Sequence, residues 1–364
     1  MTIARIARRT AGAVALVVLA FFTLVPIGRY LARAGWAEAE ILRRARPIAK
    51  LVADLSTPSA TRQKLALVLA ARTFAADSVK LAARESFTTF SHIDHDTLVV
   101  VLSAAYRDRL RFRTWWFPIV GSVPYKGYFD VRDATRAAAE LSHDGFDAYL
   151  RPASAFSTLG YLNDPLLSTT LEEDSVSLVN TVIHELTHNT FYASGQAVFN
   201  ESFANFVGAH GSEWYYAVHG DSASVRLARE DWVRQKTLGR FWSAVYNSVD
   251  SAFTAHPASK AERLAAREIV FAGARARFAS EIEPTLPGYD AKKPIALHLD
   301  NAALMSRRMY RTGLDDFDAV YEREGKRLPA AIARIIALAK GNAKDPFAAL
   351  RAYVASGSAE APAK

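Results

Sequence analysis

His184, Glu185 and His188 stand in the order H-E-L-T-H. Histidines four apart on a helix point the same way, so the pair can share one Zn²⁺. Glu185 lies about 100° further round the helix, beside the ion's open position. A carboxylate there can take a proton from water and pass it to a leaving amine. The chemistry in prospect is metal-assisted hydrolysis of an amide. With nine histidines in 364 residues, such a pattern arises by chance in about one chain in a hundred, so the surroundings must decide.

A catalytic zinc needs a third protein ligand. The extended pattern H-E-x-x-H-x-x-G-x-x-H is excluded, because Phe191 holds the glycine position and Ser194 that of the third histidine. An aspartate shortly downstream is excluded as well, since the next one is Asp221. Glu201 remains, on the following helix. Thr170 and Glu173 have capping-box spacing, Val179, Val182, Ile183 and Leu186 give an apolar face, and Gly195 is a natural stop. A helix is therefore predicted over about 170–194. If the chain reverses at Ser194-Gly195, His188 and Glu201 lie about 10 Å and 9 Å from the turn. Their side chains then stand at matching heights on facing helices. Asn205, one turn beyond Glu201, either accepts the second ring N–H of a ligand histidine or is an ordinary polar residue beside a polar site. His210 and His219 read as non-ligands.

These helices need a body to hold them. Residues 29–86 carry apolar positions at helical spacing and read as a helical stalk or the start of the domain. Residues 96–130 are rich in β-branched and aromatic types with turn formers, which predicts strands and tight turns; Gly121, Gly127 and Gly160 are assigned to turns. A helix follows from Val131 and stops at Gly145, then a strand in FDAYLRPASAF. From Thr170 the chain reads as almost wholly helical. The expected class is α+β, predominantly helical, with a small sheet ahead of the metal helix. The expected division is a basic N-terminus (1–9), an apolar span (10–28), the stalk (29–86), a catalytic core (87–220), a helical C-terminal part (221–355) and a disordered tail (356–364).

Thr10 to Gly28 is uncharged and spans about 28 Å as a helix, the thickness of a bilayer's hydrocarbon core. Behind Arg5, Arg8 and Arg9 it reads as a transmembrane signal anchor, with the body outside the cytoplasm. Ala32-Arg33-Ala34 also has the form of a cleavage site. The net charge of +8 comes without any nucleic-acid module, so no nucleic-acid partner is expected and the arginines read as a solvated surface. Cysteine is absent, which excludes disulfides, thiolate ligands and attachment of lipid to a cysteine.

HELTH with NESFANFVG resembles the gluzincin metallopeptidases, in which two histidines and a glutamate hold zinc. WWFPIVGSVPYKGYFD, YLRPASAFSTLGYLNDPLLST, IHELTHNTFY and FNESFANFVG together resemble the bacterial putative aminopeptidase family of that clan. The resemblance is dense from about Trp115 to Gly211. It implies one zinc on His184, His188 and Glu201, Glu185 as general base, and a peptide substrate; with the apolar span as its attachment, the expectation is a bacterial inner-membrane protein facing the periplasm. Its members commonly begin as lipoproteins or secreted proteins, and the lipobox cysteine is missing here. Tyr310, in NAALMSRRMYRTG, is the implied oxyanion stabiliser, with Tyr192, Tyr215 and His298 as competitors. Three function classes stay open: an aminopeptidase, a zinc endopeptidase or other amide hydrolase with the same site, and a non-catalytic membrane-anchored module that a metal stabilises. An intact Glu185 argues against the third.

Overall fold

The computed structural model describes residues 3–93, 99–117, 121–153, 165–286, 290–292, 295 and 297–358. Gly160, much of the stretch after Ala153 and the end of the tail lie outside them. The apolar N-terminus forms α1 (Ile3–Leu24), which breaks at Val25 where Pro26 opens α2 (Pro26–Arg44). Proline lacks an N–H and crowds the carbonyl four residues back, so the single span expected over 10–28 is divided. Among the described residues no single helix is long and apolar enough to cross a membrane. The pair Arg9–Leu24 and Ile27–Arg44, bent by 88°, passes by length and composition together.

The stretch read as a stalk or the start of the domain packs into the body. After the short strand β1 (Arg46–Pro47) come α3 (Ile48–Ala53) and α4 (Ser59–Asp77), and Leu65, Val68 and Ala71 of α4 are fully buried in the largest core cluster. β2 (Thr89–Ser91) pairs antiparallel with β1 and parallel with β8 (Leu166–Leu167). The main sheet has β3 (Val99–Tyr106) at its centre, between β6 (Tyr125–Tyr128) and β7 (Phe146–Ala153), both antiparallel to it. β4 (Trp115–Phe117) and β5 (Gly121–Val123) pair on their own. Gly127 is no turn residue: it lies in β6 opposite Val101.

Between β6 and β7 runs α5 (Val131–His143), capped by the Asp130 carboxylate, which accepts from the Arg132 N–H. It ends two residues before Gly145, whose φ of +84° suits the reversal into β7. Alternation along β7 then divides its side chains. Phe146, Ala148 and Leu150 pack with Leu141 of α5, so Asp147, Tyr149 and Arg151 share the opposite face. That polar face is the one that meets the rest of the molecule.

The remainder is helical: α6 (Ser168–Leu171), α7 (Ser175–Thr190), α8 (Ala197–Val218), α9 (Ser222–Ala255), α10 (Lys260–Arg277), α11 (Asn301–Met309), α12 (Leu314–Arg323), α13 (Leu328–Gly341) and α14 (Pro346–Ser358). The chain is α+β and predominantly helical. The metal helix starts later than the capping-box spacing suggests. Asp174 caps it, accepting from the N–H groups of Val176 and Ser177, while Glu173 accepts from the Thr181 hydroxyl. It also ends earlier, at Thr190, because Phe191 is extended. Gly195, at φ +74°, lies in the turn that leads into α8.

α7 and α8 then pack face to face. Val179, Val182, Ile183 and Leu186 meet Phe199, Phe203 and Phe206, and all seven are at most 1% exposed. Each such side chain contributes about 1.5–3 kcal/mol over leaving it in water. Two glycines set how closely the helices approach. A Cβ on Gly208 would stand 2.4 Å from the Asn180 side-chain oxygen, and one on Gly211 would stand 2.9 Å from Ile183. A second core lies between the far half of α9 and α10, around Trp242, Phe271 and Phe278, and takes in Leu304 of α11.

Candidate metal centre

α7 and α8 bring His184, His188 and Glu201 together. The Glu201 Oε2 lies 3.5 Å from His184 Nε2 and 3.7 Å from His188 Nε2. The three donor atoms all lie within 4.8 Å of one another. Ligands at Zn–N and Zn–O distances of about 2.0–2.1 Å in a tetrahedron stand about 3.3 Å apart, so these spacings are those of an ion-sized gap. The two imidazoles meet nearly edge to face, with ring centroids 5.0 Å apart. Burial opposes the charge on Glu201, yet the histidines beside it prevail and hold its carboxyl well below the usual range. Two imidazoles, one carboxylate and no thiolate form a donor set suited to a borderline divalent cation.

Glu185 sits next in sequence to one of these donors, and its side-chain oxygen Oε2 is buried with no hydrogen-bond partner among the described residues. A buried carboxylate oxygen without a donor is costly, and this one is open to accept a hydrogen bond or a proton. Asn205, one turn beyond Glu201, donates through its amide nitrogen to the Tyr310 carbonyl at 2.8 Å. Its side-chain oxygen is the atom that the sequence reading offers to a ligand histidine. Ser202 adds two bonds to the same turn, donating to the Met309 carbonyl and accepting from the Thr312 N–H. Three contacts from α8 thus fix the backbone on either side of Tyr310.

Tyr310 is far from the histidines in sequence and close in space. Its ring centroid is 6.3 Å from that of His184, and its hydroxyl accepts from Arg151 Nη2 at 2.8 Å. Burial pushes its phenol up, with Glu201 and Glu185 adding to the shift against Arg151. The phenol therefore stays protonated through neutral pH and can donate. α11 and β7 run side by side to deliver it. Asn301 donates its N–H to Asp147, and Tyr310 meets Arg151. Nine residues of helix and four of strand both cover about 13 Å, so both ends meet.

A family model described as putative aminopeptidase matches residues 29–350. The chain belongs to that family. No curated protein and no solved structure matches it. Membership supports peptidase activity in general terms, and the match takes in most of α2 and all of α3 to α13.

The other sequence candidates lie elsewhere. Tyr215 is buried against Phe74 and Tyr216. His298 stacks on Tyr149 and bonds Asp300 from an exposed position. His210 binds Asp318, and His219 bonds the Tyr215 carbonyl. Tyr192 is nearer: together with Glu201 and Tyr310 it raises the phenol of Tyr125, after burial, which is the largest cause. Tyr125 and Arg151 are site neighbours that the sequence reading missed. Both fall on the sheet face that carries Asp147 and Tyr149, and the polar alternation of FDAYLR was the available signal for Arg151.

Proposed function

We propose that the chain is a zinc peptidase of the gluzincin type, removing residues from the N-terminus of peptides. The observation that carries this reading is the convergence of His184, His188 and Glu201 beside the unpartnered oxygen of Glu185. A zinc ion held there would polarise the substrate carbonyl and lower the pKa of water. Glu185 takes the proton that water loses as its oxygen bonds the carbonyl carbon, and returns it to the nitrogen as the C–N bond breaks. Tyr310 donates to the carbonyl oxygen as charge gathers on it, with Arg151 bracing its hydroxyl. The substrate backbone pairs with the free edge of β7, which borders only β3 among the described strands. A structural metal would not need Glu185, which disfavours a purely binding module.

Removal of N-terminal residues requires recognition of a free amine. N-acetylation of a good peptide substrate is therefore expected to abolish cleavage, read by mass spectrometry of the products. Equal cleavage of free and acetylated peptides, with cuts inside the chain, would make this an endopeptidase.

Within this reading the apolar segment Thr10–Gly28 acts as a signal anchor in the bacterial inner membrane, with the catalytic body in the periplasm. Its support is the apolar surface of α1, where Val14, Leu16, Val17 and Leu19 are each more than half exposed. Protease added to intact spheroplasts is expected to digest the body. Protection that persists until lysis would place the body in the cytoplasm.

A further inference from the structure

Several buried or half-buried cations in this molecule meet a carboxylate. Arg267 meets Asp147, Lys236 meets Asp318, and Arg263 meets Asp108. The arginines around Tyr310 are different. Arg151 spends one donor on the Tyr310 hydroxyl, of the five that a guanidinium carries, and no described carboxylate pairs with it. Arg307 lies one helical turn before Tyr310. Its guanidinium sits over the rings of Tyr149 and Trp242, at 5.7 Å and 5.2 Å, and makes no hydrogen bond to any described residue. Its Nε is buried and without a partner. Arg308, over the Tyr246 ring, has a buried unpartnered Nε too.

The charge balance sharpens the point. Glu185 and Glu201 together offset a divalent ion, which leaves these arginines uncompensated. An unpaired guanidinium so close to a metal centre is unfavourable unless an anion arrives with the ligand. Both candidate residues flank the Tyr149–Tyr310 neighbourhood. Arg151 and Tyr149 share one face of β7, and Arg307 lies against Tyr149. The planar fork of arginine matches a carboxylate bidentately.

We propose that Arg151 and Arg307 form an anion subsite beside the metal triad that receives a carboxylate of the peptide substrate. This rests on the peptidase reading and adds its substrate class. The Tyr310 ring bridges Arg151 to His184, a span on the order of 10 Å, or about three residues of extended chain. The carboxylate is thus an acidic side chain near the cleaved end or the C-terminus of a short peptide.

Binding rather than turnover tests it. The full-length Glu185→Gln protein, supplied with zinc, is titrated calorimetrically with short peptides in two pairs. One pair exchanges Glu for Gln near the N-terminus, with the C-terminus amidated. The other exchanges a free C-terminal carboxylate for its amide. In at least one pair the carboxylate form is expected to bind about 10- to 100-fold tighter, the range of a charge-assisted hydrogen-bond pair. That preference should disappear with Arg151→Met and survive in part with Arg151→Lys. If Arg151→Met does not fold, Arg307→Met serves in its place. Equal affinity within both pairs, no binding of any peptide, or a preference untouched by the arginine substitutions overturns the subsite. Failure of the wild-type protein to cleave any peptide would sink the peptidase reading alone, because the binding comparison still decides the subsite.

Discussion

Glu185→Gln is expected to retain one equivalent of zinc and to lose two to four orders of magnitude in turnover, the usual scale of general-base catalysis. Glutamine has nearly the same shape and cannot take a proton. The residue is not among the three converging donors, so metal content should not change. Glu201→Ala should do the reverse. It removes the one carboxylate that lies 3.5 Å and 3.7 Å from the two imidazole nitrogens, and two histidines alone make a weak site. The helix pair itself should survive, since Phe199, Phe203, Val182 and Ile183 hold it independently of Glu201. Metal analysis, circular dichroism and peptide turnover on the two variants separate the roles. Near-normal hydrolysis by Glu185→Gln would falsify the general-base assignment, and stoichiometric zinc in Glu201→Ala would mean that the third ligand is another residue.

The candidate site was legible in the sequence where its parts are local. His184, Glu185 and His188 follow from helical spacing, and Glu201 follows from heights measured about Gly195. That measurement survived a helix that ends at Thr190 rather than 194, because the reversal itself stayed at Gly195. The start of α7 was misplaced because Thr170-x-x-Glu173 and Asp174 compete as caps. Backbone geometry decides between them, since Glu173 is drawn to Thr181 and Asp174 accepts two N–H groups. The broken N-terminal span follows from Pro26, a residue visible in the sequence whose effect depends on whether its neighbours hold the helix straight. Tyr310 is reached only by resemblance, since nothing local ties it to residue 184. Its setting was beyond reach of the sequence: Arg151 and Tyr125 become neighbours through strand register, Ser103 pairing with both Tyr125 and Tyr149.

One buried cluster ties α10 and α11 to β7. Asp147 and Arg267 are each 7% exposed and lie 2.7 Å apart, and Asp147 also accepts the Asn301 N–H at the start of α11. Asp147→Ala should cost about 3–5 kcal/mol of stability, because it removes the buried carboxylate that faces Arg267 and leaves that guanidinium only the exposed Glu268 as a carboxylate partner. It should also lower turnover beyond any loss of folded protein, by loosening the end of α11 opposite Tyr310; that end then keeps only the Asn301 side-chain bonds to the Tyr106 and Arg107 carbonyls. The pair is not itself a source of stability. Burial, against Arg267, raises the Asp147 carboxyl above the ordinary range, and Asp300 adds to the shift. A carboxyl raised on folding binds its proton more tightly in the folded state, so its contribution is complete at acid pH and is lost as pH rises through the folded value. Replacing both partners should then be far milder than replacing one. Asp147→Leu with Arg267→Met is expected to recover most of the stability lost by Asp147→Ala, but not the turnover, since the Asn301 N–H still lacks its acceptor. Urea unfolding of the wild type, the single variant and the double variant reads the difference. A loss below about 1 kcal/mol for Asp147→Ala, the level of an ordinary exposed pair, would show that α11 is held without Asp147, by the Asn301 side chain on the Tyr106 and Arg107 carbonyls and by its apolar contacts.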